Sequence, residues 1–424
     1  MVTRALRGLI DADAFRHLSA DGWLLFGTRC ARLFGYGLFS VVLVLYLSAA
    51  GLDDTRIGLL LTLTLLGDTA ISLWLTTSAD RFGRRRTLLA GAFLMIFAGT
   101  IFAVTNDFWL LLLAATIGVI SPSGNEVGPF LSVEQAALAH TVPGDQRTGV
   151  FAWYNLVGSL ATALGALCGG LVTQVMMDAG VSGPQRYQPL AIVYSLIGVV
   201  LALAFTRLSP NVEVSPIDAS AEQKAPPTRF GLHRSGPIVL KLSGLFALDA
   251  FSGGFVVQSI MAYWFFLRFD VEPAALGALF FGANILAGLS SLAAAGLARR
   301  IGLVNTMVFT HLPSNVLLIL VPLMPTAWLA GLVLLVRFSI SQMDVPARQS
   351  YTMAVVSPDE RSAASGVTNV ARSLGAAVSP MLATVLVGTA PLMNIPFYFA
   401  GGIKIIYDLL LYRSFVGLRP AEEQ

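Results

Sequence analysis

Apolar residues in this chain gather into long runs, and short polar stretches set the runs apart. A bilayer core of about 30 Å takes about 20 apolar residues in helical form to cross. Runs of that length stand at 22–49, 57–78, 87–105, 108–139, 148–174, 188–207, 238–267, 274–297, 304–323, 326–355, 362–389 and 394–413, so twelve spans are expected. Backbone polar groups in lipid must find partners within their own segment, which makes each run a helix. The short alternating segments of a membrane β-barrel are absent. Pro122 and Pro129 in the fourth run and Pro380 in the eleventh should bend their helices.

Composition agrees with the pattern. Only 12% of the residues are charged, where a soluble chain carries about 25%. The polar ends of the runs orient the chain, because Lys and Arg stay on the cytoplasmic side. With the N-terminus inside, the inner loops and tails hold 18 Lys and Arg and the outer loops hold 3. Both termini are therefore expected in the cytoplasm, and the chain in the cell (inner) membrane. The first run carries two arginines and no small-residue cleavage site, so it reads as a retained helix rather than a leader. Residues 208–237 form one long polar loop, read as a cytoplasmic linker between an N-terminal bundle (1–207) and a C-terminal bundle (238–424). Basic residues lie between apolar runs rather than in one patch, which argues against a nucleic-acid partner. Cys30 and Cys168 lie inside runs and imply neither a disulfide frame nor a metal site.

The two bundles repeat. Asp145-Gln146-Arg147-Thr148 recurs as Asp359-Glu360-Arg361-Ser362. At the same offset of 214, Asn155 meets Asn369, Ser159 meets Ser373, and Glu134-Gln135 meets Arg348-Gln349. Gly58 and Gly83 meet Gly277 and Gly302 at an offset of 219. A nearly constant offset marks a duplicated six-helix unit.

Span two ends in Asp80-Arg81-Phe82-Gly83-Arg84-Arg85-Arg86. This segment resembles the loop between helices two and three of the major facilitator superfamily of secondary transporters. The resemblance implies an all-α membrane fold of twelve transmembrane helices in two pseudo-symmetric six-helix bundles. It implies a gating role for Asp80, Arg81, Gly83, Arg84 and Arg361, with Asp80 meeting the start of span eleven near Arg361. Thr76 stands where the family has a first glycine, and the second-half counterpart, Arg299-Arg300-Ile301-Gly302, lacks the acid. In span five, Gly165-Ala166-Leu167-Cys168-Gly169-Gly170 resembles the Gly-Pro-x-x-Gly-Gly of superfamily antiporters, with Ala166 in the proline's place.

Ionisable side chains inside a membrane are costly and mark partners or a wet cavity. Arg29 and Arg32 share a face of span one with Tyr36. They read as a cationic wall of the central cavity, or as side chains reaching back to headgroups. Asn155 in span five and Asn369 and Arg372 in span eleven form matching polar stripes, and with Arg348 complete the candidate substrate-binding set. Glu134 and Arg348, related by the repeat, are expected to approach each other or to share a substrate or proton. Asp344, four residues before Arg348, offers a competing pair on one helix face. Asp68, Glu126, Glu134, Asp249 and Asp344 are the candidate proton-coupling acids, with Glu126 and Asp249 preferred. Lys404 and Asp408 look like a structural pair, and Tyr263, Trp264 and Phe265 like an interfacial aromatic belt. The four histidines are scattered and none is placed in the site.

The expected function is secondary transport of a small organic solute by alternating access. A proton gradient drives it, with no cofactor and no metal, and the protein is no enzyme. It works as a monomer in the lipid bilayer, and the direction favoured is export by antiport. The arginines favour an anionic or zwitterionic solute. A proton-coupled symporter importing an organic anion stays open, as do a non-transporting membrane receptor and a metal-ion permease. Arg348→Ala is expected to abolish flux and leave the fold intact.

Overall fold

A computed structural model describes residues 18–141, 147–213, 232, 234–357 and 360–418. Among them are sixteen α-helices and no strand. Eight of the twelve spans are single helices. These are α3 (Asp54–Phe82), α4 (Arg84–Val104), α7 (Arg147–Asp178), α8 (Gln188–Phe205), α11 (Pro273–Ile301), α12 (Leu303–Leu320), α15 (Arg361–Gly388) and α16 (Ile395–Phe415). The other four are broken. Span one is α1 (Ala20–Ser40) and α2 (Leu43–Ala49), bent by 44°. Span four is α5 (Phe108–Ile117) and α6 (Phe130–Thr141), span seven α9 (Gly236–Gly254) and α10 (Gln258–Phe269), and span ten α13 (Ala327–Phe338) and α14 (Asp344–Ala354).

The breaks fall at the first and fourth spans of each half, so the repeat carries them. In span four the cause is plain: Gly124 and Gly128 have φ of 73° and 78°, and Pro122 and Pro129 flank them. In span ten Pro346 lacks the N–H that would bond to Gln342. Pro380, in contrast, lies inside the continuous helix α15.

By their contacts the described residues form two compact units, those within Met1–Leu52, Gly67–Ala225 and Pro273–Phe281, and those within Asp53–Leu66, Pro226–Glu272 and Gly282–Gln424. These follow the two halves of the sequence apart from two exchanges. The start of α3 packs in the second unit, with Gly58 against the backbone of Met381. The start of α11 packs in the first, with Gly277 against Gly170. Of the long loop, residues 214–231 and 233 lie outside the described residues.

Each unit uses the same helix pairs. In the first, α1 lies along α7 and α4 along α8; in the second, α9 lies along α15 and α12 along α16. Missing side chains bring the backbones together. A Cβ on Gly165 would collide with the Phe34 carbonyl, one on Gly169 with the Leu38 carbonyl, and one on Gly375 with the Ala247 carbonyl. Gly165 and Gly169 of the antiporter-like segment are thus packing positions between spans one and five, and Gly170 packs against the start of α11. Gly165→Leu is expected to abolish monodisperse protein on size exclusion, because two backbones would have to part. Gly296→Leu, on a helix face with open space beyond it, is the control expected to behave as the parent chain.

Candidate functional site

The broken span four leaves backbone groups that lipid cannot satisfy. Side chains from four other spans take them. The Tyr36 hydroxyl donates to the Val127 carbonyl at 3.2 Å, and the Thr162 hydroxyl to the Gly124 carbonyl at 3.4 Å. The Tyr194 hydroxyl donates to the Val119 carbonyl. The Gly128 N–H donates to Asp68 Oδ1 at 2.6 Å. Tyr36 is fully buried. Its hydroxyl therefore supports the break, which differs from the solute-facing position expected of it.

Around this scaffold the first unit holds a buried ion-pair network. Arg32, with no exposed surface, makes a two-pronged pair to Glu134, Nη1 to Oε1 and Nη2 to Oε2, each 2.7 Å. Its Nε reaches Glu126 Oε1 at 2.7 Å. Arg29 Nη1 donates to Glu126 Oε2 at 2.9 Å, and Nη2 to Asn155 Oδ1 at 3.2 Å. Glu134 also accepts from the hydroxyls of Thr28 and Tyr154. The two guanidiniums lie over aromatic faces, Arg29 4.2 Å from the centre of Tyr154 and Arg32 4.4 Å from that of Phe130. Both arginines are buried inside the unit, so the alternative of reaching back to headgroups is set aside. Asp68 differs from the other acids. Its two hydrogen bonds, from Gly128 N–H and Ser72 Oγ, come from neutral donors and both go to Oδ1.

The second unit holds a network of the same kind with the charges exchanged. Asp249 on span seven pairs with Arg348 on span ten at 3.1 Å and with Lys404 on span twelve at 2.5 Å. Arg348 also reaches Asp344 at 3.2 Å. In the first unit the cation stands on the first span and the acid on the fourth; here the acid stands on the first and the cation on the fourth. Among the described residues, Glu134 and Arg348 each bond to partners inside their own unit. The network corrects the pairing of Lys404 with Asp408. Asp408 accepts from Asn315 at 2.9 Å and lies 2.8 Å from His311 Nδ1. The Nε2 of His311 lies 3.9 Å from Asp249. His311, Lys404 and Tyr154 are network members that the sequence reading did not place there. Their partners are far away in sequence and no local spacing signals them.

Two arginines of this unit have no carboxylate within pairing distance among the described residues. Arg337 is 8% exposed and its Nε has no hydrogen-bond partner. Arg372, partly buried on α15, also has an unpartnered Nε. Asn369, one turn before it, is exposed.

At the gate segment, Gly83 turns the chain between α3 and α4 with φ 96°, and Gly302 does the same in the second unit with φ 86°. The side chains of Asp80 and Arg81 lie outside the described residues. The acid seen at the start of α4 is Glu213, which accepts from the Arg84 and Arg85 N–H groups at 2.7 and 3.1 Å. Arg84 Nη1 donates to the Val212 carbonyl at 3.2 Å, and Arg361 Nε to the Met353 carbonyl at 2.9 Å. Tyr263, Trp264 and Phe265 are buried within the second unit rather than forming an exposed belt. Tyr263 donates to Asp54 and Trp264 to Asn394, each at 3.1 Å.

A profile described as the Major Facilitator Superfamily matches residues 25–380. The chain belongs to the Major Facilitator Superfamily. In this superfamily member, twelve spans include nine segments long and apolar enough to cross alone among the described residues, and the bent pair α1–α2 makes a tenth. The shorter apolar helices α5 and α13 open the remaining two. The chain is 31% identical over 431 residues to "Uncharacterized membrane protein YJR124C" of Saccharomyces cerevisiae, covering 95% of this chain and 96% of the yeast protein. It is 30% identical over 115 residues to a "Na(+), Li(+), K(+)/H(+) antiporter" of Planococcus maritimus, covering 27% of each. Among solved structures, a bacterial homolog to the human lysosomal transporter Spinster matches with a TM-score of 0.70 at 14% identity. That match covers 94% of this chain and 97% of the other, and shows a shared fold.

Proposed function

We propose that this superfamily member exports a small organic solute in exchange for protons, by alternating access of its two six-helix halves. The observation that carries the reading is the charge imbalance of the first unit: among the described residues Glu126 and Glu134 pair with Arg29 and Arg32, while Asp68 is bonded by neutral donors. Glu126 and Asp249, the acids preferred from the sequence, are each held by two cations. Neutralising either would strand a buried charge. Asp68 takes a proton on Oδ2 without breaking an ion pair, and we assign it the coupling role. The antiporter relative and the glycine segment of span five favour exchange over co-transport.

Proteoliposomes with a trapped pH dye and an acidic lumen test this against a panel of organic solutes added outside. Exchange predicts that a transported solute makes the lumen more alkaline as protons leave. Asp68→Asn is expected to reduce that proton movement to the level of empty vesicles while solute-for-solute exchange persists. Transport of a solute with no proton movement in either direction would falsify the coupling. The second reading, a symporter importing an organic anion, predicts acidification of the lumen when solute is added to an acidic exterior. A receptor would bind solute and move none.

A further inference from the structure

The second unit's network carries more positive than negative charge. Its cations are Arg337, Arg348, Arg372 and Lys404, and its carboxylates are Asp249, Asp344 and Asp408. Each carboxylate is already engaged: Asp249 by Arg348 and Lys404, Asp344 by Arg348, and Asp408 by His311 and Asn315. The surplus therefore rests on the two unpaired guanidiniums. Asp249 and Asp344 act on both guanidiniums only from beyond pairing distance; a buried cation with no directly paired anion is expensive, so an added anion is the simplest completion. Arg337 is nine-tenths buried, with its guanidinium 5.1 Å from the centre of the Phe338 ring. Arg372 is the accessible one. It is only partly buried, and it shares a face of α15 with the exposed Asn369.

We propose that Arg372 is the docking point for an acidic group of the transported solute, a carboxylate, sulfonate or phosphate, which supplies the counter-charge that the second unit lacks. The proposal rests on the transporter reading. It gives that reading a substrate class: organic anions, or zwitterions presenting their anionic end to span eleven. A guanidinium with free N–H donors suits such groups, because it can meet two oxygens at once. The proposal also separates the two halves by task, with a proton balancing the acidic surplus of the first network and the solute balancing the basic surplus of the second.

Thiol labelling tests this without knowing the solute. Cys30, exposed, and Cys168, partly exposed, are first replaced by serine, and Asn369→Cys supplies the reporter beside Arg372. The full-length protein in nanodiscs is reacted with the sulfonatoethyl and the trimethylammonioethyl methanethiosulfonates, each rate being divided by that of a free small thiol. The expected result is a preference for the anionic reagent on the order of fivefold to tenfold, the size of one unit charge at this range acting oppositely on the two reagents. Arg372→Lys keeps most of that preference and Arg372→Gln removes it. No preference in the protein with Arg372 intact overturns the proposal, and that measurement stands even if Arg372→Gln does not fold. A preference that survives unchanged in folded Arg372→Gln overturns it too, by placing the field elsewhere. Because the readout needs no flux, its failure leaves the exchange reading intact, and a failed flux assay leaves this one intact.

Discussion

Arg32→Ala is expected to lower the stability of the protein by about 3–5 kcal/mol, the range for breaking a buried ion pair from one side. The side chain has no exposed surface and makes bonds to both Glu126 and Glu134. Removing it leaves Glu134 with only hydroxyl donors, from Thr28 and Tyr154. It also leaves Glu126 with Arg29 alone. The change is read as a large fall in the thermal unfolding midpoint of purified protein, followed by tryptophan fluorescence. Arg32→Lys should fall between, because an ammonium cannot make the two-pronged pair. Arg32→Leu combined with Glu134→Leu should recover much of the loss, since both charges leave together. A double variant as unstable as Arg32→Ala would show that the two side chains do not act as a unit.

The second large effect belongs to Asp249. It is the acid on which Arg348 and Lys404 converge, with His311 3.9 Å away. Asp249→Asn strands Lys404, whose recorded bonds go to Asp249 alone, and adds to a surplus of positive charge already present. The expected loss is again about 3–5 kcal/mol, measured as the same midpoint shift. Asp249→Glu, which keeps the charge, should lose much less. The same geometry revises the expectation for Arg348→Ala. Arg348 is 3% exposed and bridges two carboxylates, so its truncation should damage the fold as well as the flux. Arg348→Lys is the better probe of transport.

Much of this architecture was legible before any coordinates. Apolar length located all twelve spans, because lipid imposes one requirement on every segment that crosses it. An offset of 214 shared by several residue pairs exposed the duplication, and most of the ionisable residues flagged as costly build the two networks, with Asp68 and Arg372 outside the ion pairs. Partner identity was not legible. Lys404 and Asp408 are spaced for a pair on one helix, yet Lys404 turns to Asp249 and Asp408 to His311. Spacing says which residues can meet on a helix, whereas a nearer opposite charge on another helix decides which do. His311 was passed over for the same reason: nothing next to it in sequence marks it as a bridge between two acids. Tyr36 looked like a solute contact because it extends the arginine face. Only the non-helical stretch of span four, whose carbonyls need donors, explains where its hydroxyl goes. Glu213, which caps the start of α4, lies in the long polar loop 129 residues after Arg84, and no spacing marks it.

The stretch between α5 and α6 has a consequence for how the chain is made. Its backbone groups are tied by side chains from spans one, two, five and six, through Tyr36, Asp68, Thr162 and Tyr194. During synthesis span four reaches the bilayer before the last two of these exist. Until span six emerges, the Val119 carbonyl lacks the phenol that satisfies it in the finished protein. A nascent chain halted after span five therefore exposes bare peptide groups where lipid tolerates none.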